Sequence, residues 1–97
     1  MEIATLYEEI NGYYLEIENL DDGEHLIDRY KKVVAIMIRV AHIRSEIAYR
    51  EVIGKADAPE KKFRTMILDP FIERLQEMAR YESRAITAKE IEAKMER

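Results

Sequence analysis

Apolar residues recur along the first part of the chain at the spacing of one helix face. Ile3, Ile10 and Ile17 stand seven apart, as do Leu6, Tyr13 and Leu20, while Tyr7 and Tyr14 widen the stripe. Alternating steps of three and four keep such positions on one side of a 3.6-residue helix, so the pattern predicts an amphipathic helix of coiled-coil character over 1–20. Gly12 falls inside it, where glycine costs about 1 kcal/mol relative to alanine. Close packing, a local bend, or a backbone that a ligand or partner approaches are the readings it admits.

The second segment, 22–54, follows the punctuation Leu20-Asp21-Asp22-Gly23-Glu24. Asp21 and Glu24 have the spacing of a capping box, and Gly54 is placed to close the far end. The centre, Val33 to Ile43, is apolar over more than half the helix circumference, with Ala35, Arg39 and His42 in the remaining arc. Covering so wide a face takes at least two neighbouring helices. Val33, Ile36, Met37, Val40, Ile43 and Ile47 are therefore the expected interface residues of an oligomer.

The third segment, 58–97, opens on Asp57-Ala58-Pro59-Glu60, another capping-box spacing with proline in the first turn. Phe63, Met66 and Ile67 predict a short apolar face. Proline lacks an amide proton and clashes with the preceding turn, so Leu68-Asp69-Pro70 predicts a break, with Asp69 as cap of a restarted helix. Phe71, Ile72, Leu75, Met78, Ala79, Ala85 and Ile86 continue a helical stripe, and Thr87 with Glu90 could cap a further short turn. The expected architecture is all-α: one domain over 1–97, a hairpin of a short and a long helix, and a third helix broken near Pro70. Two or more chains then share the wide face as a helical bundle, most simply a dimer.

Charge adds an asymmetry to this picture. The 97 residues carry a net charge of −4, but Met1–Asp28 holds nine acidic residues and no basic one, and Arg29–Asp57 holds seven basic against three acidic. The two segments are expected to neutralise one another, within a chain or between copies. There is no cysteine, which excludes disulfides and thiolate metal sites. The first residues lack the basic flank and apolar stretch of a signal peptide, and Val33–Ile43 is about half the length of a bilayer span. A cytoplasmic setting without membrane contact is the expectation.

Arg39, His42, Glu46 and Arg50, spaced three, four and four, form the strongest candidate for chemistry. The arginines could hold a phosphate or nucleotide in a pocket formed between chains, with Tyr13 or Tyr14 stacking on the ligand. A plainer account makes Glu46 and Arg50 a surface ion pair and the tyrosines packing residues. The basic residues Arg29, Lys31, Lys32, Lys61, Lys62 and Arg64 raise nucleic-acid binding as a weaker option, since the chain is acidic as a whole. Conversely, the acidic segment 1–28 could engage a basic partner as a nucleic-acid mimic.

Leu6-Tyr7-Glu8-Glu9-Ile10-Asn11 resembles small all-helical chorismate mutases in rhythm, but Tyr7 stands where their pattern has an arginine. Glu8-Glu9 resembles the magnesium-binding glutamates of all-helical nucleotide pyrophosphohydrolases, without the partner motif on the following segment. The Glu-x-x-His of ferritin-like metal sites is absent. The residues thus assign no family, catalytic group, metal or cofactor. The function they favour is a non-enzymatic helical oligomer, an adaptor or regulator of the kind phages and mobile elements encode, whose partner is a second copy or another protein.

Overall fold

A computed structural model describes residues 2–20 and 25–95, and every regular element among them is helical. Helix α1 spans Ile3–Glu18, α2 spans Leu26–Val52 and α3 spans Ala58–Phe63. A π turn over Arg64–Leu68 joins α3 directly to α4, Asp69–Met95. The capping box expected at Asp21 and Glu24 lies outside the described residues. The cap that is described for α2 is His25, whose Nδ1 accepts the Ile27 amide at 3.3 Å. Gly54 ends α2 with φ +73, a left-handed conformation open to glycine at no steric cost.

Side-chain pairs fix how the helices run. Tyr7 meets Phe63, Tyr14 meets Phe71 and Glu18 meets Arg74, so α1 lies parallel to the α3–α4 rod. Arg44 pairs with Asp69 and Arg29 with Glu82, so α2 runs antiparallel to α4. Ile10 and Ile17 of α1, Val33, Ile36, Val40, Ile43 and Ile47 of α2, and Phe63, Leu68, Phe71 and Leu75 of the rod are buried together. Each such side chain contributes roughly 1.5–3 kcal/mol by leaving water. The result is an elongated body of 59 × 25 × 16 Å.

The wide face of α2 is thus largely covered by helices of its own chain. Of the six expected interface residues, Val33, Ile36, Val40, Ile43 and Ile47 are buried in this core and Met37 is half-buried. They are not available as a shared face unless the chain opens. Ile38, by contrast, points outward and is 65% exposed.

The third segment departs from expectation at its proline. Asp69 has helical angles (φ −61, ψ −47), so it is no cap, and the helix does not restart at Pro70. One turn widens just ahead of the proline instead. The Asp69 amide reaches back to the Arg64 carbonyl, five residues away, and Pro70 follows at the point where the ladder resets. The wide turn also changes which residues face inward: Leu68, five beyond Phe63, is buried, whereas Met66 is 68% exposed. Thr87 does not cap a new turn either. Its hydroxyl donates to the Ser83 carbonyl at 3.0 Å, and α4 runs on to Met95.

Candidate interaction surface

The stripe Arg39–His42–Glu46–Arg50 follows one edge of α2, yet its members look to different partners. Arg39 Nε and Nη2 donate to Glu9 of α1 at 2.7 and 3.1 Å, and the Tyr13 hydroxyl donates to the same carboxylate at 2.6 Å. Hydrogen bonds from the Arg39 guanidinium hold the Glu9 carboxyl below its ordinary value against the opposing effect of burial. Burial, ahead of the bond to Glu9, raises the Tyr13 hydroxyl. His42 Nε2 lies 3.0 Å from Glu46 Oε1, so the surface pair expected between Glu46 and Arg50 is replaced by one between Glu46 and His42.

Arg50 turns the other way. Its Nε and Nη2 donate to both Glu60 oxygens at 2.9 and 3.0 Å, and Nη2 also donates to the Lys55 carbonyl at 3.2 Å. Asp57 caps α3 as expected, accepting the Glu60 amide at 2.9 Å. The Glu60 side chain, expected to return to the cap, is instead buried beneath Arg50. A two-pronged charged bond of this kind ties the end of α2 to the start of α3.

A second network escaped the sequence altogether. Arg64 donates through Nε and Nη2 to Glu51 and through Nη1 to Asp69, and Asp69 also accepts from Arg44 Nε at 2.6 Å. The Glu51 carboxyl is held below its ordinary value chiefly by the bonds from Arg64. These four residues come from α2, the π turn and the first residue of α4, and no local spacing connects them. Arg44 and Asp69, paired with each other, line a groove of about 480 Å³ between α2 and α4 together with Ser45, Glu73 and Gln76.

Tyr14 is a packing residue: its ring stacks on Phe71 with centroids 4.1 Å apart and planes 16° apart. Tyr13 lines a groove of about 620 Å³ between α1 and α2, with Gly12, Leu15, Ile17, Lys32, Ala35 and Ile36. A Cβ built on Gly12 meets nothing within 4 Å, so no close packing inside the chain requires glycine there. The groove wall stays open at that point.

The outer side of α2 carries a feature the sequence pattern also contains but that the apolar centre hides. Ala35, Ile38, His42, Ser45, Tyr49 and Val52 alternate by three and four, and all six are exposed. Among the described residues no three His, Cys, Asp or Glu side chains gather to hold a metal ion, and no helix is long and apolar enough to cross a membrane. No protein-family model matches the sequence, and no curated protein or solved structure matches it.

Proposed function

We propose that this protein is a non-enzymatic interaction module, a helical oligomer that serves as an adaptor or regulator in a cytoplasmic setting. One contrast carries the reading: the two arginines of the candidate stripe are paired with carboxylates of their own chain, while large apolar groups are left outside. Arg39 is occupied by Glu9 and Arg50 by Glu60. Leu15, Ile38, Tyr49 and Val52 face solvent. Large apolar side chains left on the surface are what a protein partner uses.

An anion pocket has less support, since a phosphate would have to displace carboxylates from both arginines. The acidic segment is likewise partly spent within the chain, through Glu9 on Arg39 and Glu18 on Arg74. The testing experiment is the mass in solution by light scattering behind a sizing column, over a roughly hundredfold range of concentration. A multiple of the 11.5 kDa chain mass is expected. A single-chain mass throughout would defeat self-assembly.

A further inference from the structure

We propose that the outer seam of α2 is the contact between two copies of this chain, packed antiparallel about a twofold axis between His42 and Ser45. This rests on the reading of the protein as an oligomer and names the surface and register that form it. The seam consists of Ala35, Ile38, His42, Ser45, Tyr49 and Val52, which repeat as the two core positions of a heptad. Its large members are wasted on water in the single chain: Ile38 is 65%, Tyr49 64% and Val52 84% exposed.

The seam is complementary to itself in only one direction. With the axis between His42 and Ser45, those two positions face each other across copies. Ile38 then meets the partner's Tyr49, and Ala35 meets the partner's Val52. The large apolar side chains thus face apolar ones, Ile38 with Tyr49 and Val52 with Ala35, and the small Ser45 leaves room for His42. On one flank stand Arg39, whose Nε and Nη2 are held by Glu9, and Glu46, which pairs with His42; both are exposed and they lie seven residues apart. The twofold sets Arg39 beside the partner's Glu46, and does so twice. The other flank carries Ala41 and Ala48, small enough to let the helices approach. A parallel pair would stack Tyr49 on the partner's Tyr49 and would set Arg39 against the partner's alanine flank, losing the charge match. Eighteen residues of one helix make a contact about 27 Å long, at the modest end of stable interfaces, so the dimer should dissociate on dilution.

The chain has no cysteine, which makes the register directly testable. A chain carrying both Ile38→Cys and Tyr49→Cys is expected to crosslink into a covalent dimer under mild oxidation. Ile38→Cys alone should not, because the two copies of position 38 are about 16 Å apart along the axis, well beyond disulfide reach. Ile38→Lys and Tyr49→Lys alter exposed positions, so each should keep its helical circular dichroism while raising the midpoint concentration for dimerisation about tenfold or more. Efficient crosslinking by Ile38→Cys alone would overturn the antiparallel register. A wild-type dimer that neither lysine variant weakens would place the contact elsewhere and leave the interaction reading standing. A wild-type monomer at every concentration would end both.

Discussion

Burial and charge conflict most sharply at Glu82. Its side chain is almost fully enclosed, the Arg29 Nε lies 3.6 Å away, and one of its oxygens has no hydrogen-bond partner among the described residues. Burial pushes its carboxyl above the ordinary value of 4.5, and the Arg29 charge only partly opposes this. An acid whose folded value is raised favours folding fully below its unfolded value and loses that contribution as pH rises through the folded one. Glu9 behaves in the opposite sense: held down by Arg39, it contributes above the ordinary value and loses that contribution as pH falls. Urea unfolding of the wild type and Glu82→Gln between pH 4 and neutrality should separate the two. The stability of the wild type relative to the variant is expected to decline as pH rises, because Arg29 keeps its charge throughout and Glu9 is common to both. A difference that is flat or rises with pH would mean that Arg29, not burial, governs Glu82. The sequence holds no sign of this pair, since Arg29 and Glu82 are brought together only by the antiparallel packing of α2 on α4.

At the level of the element, the π turn shows what spacing can and cannot reveal. Periodicity and capping residues suffice to place α1, the body of α2 and the Asp57 cap, because those signals are local. The inward residues Glu60, Phe63, Leu68, Phe71, Leu75, Ala79 and Glu82 step by three or four except once, by five, between Phe63 and Leu68. That step was legible, but a glutamate at each end of the row and Met66 in the gap disguise it as a short face followed by a break. Two causes could demand the wide turn: the register of the core, or the proline. Deleting Met66 separates them. It reduces the step to four and keeps Phe63 and Leu68 on one side, but leaves Pro70 in an uninterrupted α ladder, where it costs about 3 kcal/mol. The deletion alone is therefore expected to lower unfolding stability by about that amount, and adding Pro70→Ala should restore most of it. No recovery in the double variant would show that the core, rather than the proline, needs the extra residue.

At the scale of the whole molecule, the acidic first segment and the basic one behind it suggest a chain assembled by charge, and the structure assigns that role differently. Glu9 and Glu18 do reach Arg39 and Arg74, but the first pair is only partly buried and the second is largely solvent-exposed, settings in which an ion pair is worth about 0–1 kcal/mol. What docks α1 is a pair of ring contacts repeated every seven residues, Tyr7 on Phe63 and Tyr14 on Phe71, with Ile10 and Ile17 buried beside them. The sequence displays the tyrosine spacing, but not that Phe63 and Phe71 answer it at eight, because the wide turn between them takes up the extra residue. Phe71→Ala removes a fully buried ring and is expected to cost about 3–5 kcal/mol in urea unfolding. Glu18→Gln should cost about 1 kcal/mol or less, and a double-mutant cycle between Tyr14→Leu and Phe71→Leu should return a coupling of about 0.5–1.5 kcal/mol. If Glu18→Gln proved as damaging as Phe71→Ala, charge would be the force that holds the first helix down. The expected order, rings well above ions, leaves the charge asymmetry free to act outside the fold, on whatever approaches the open faces of α1 and α2.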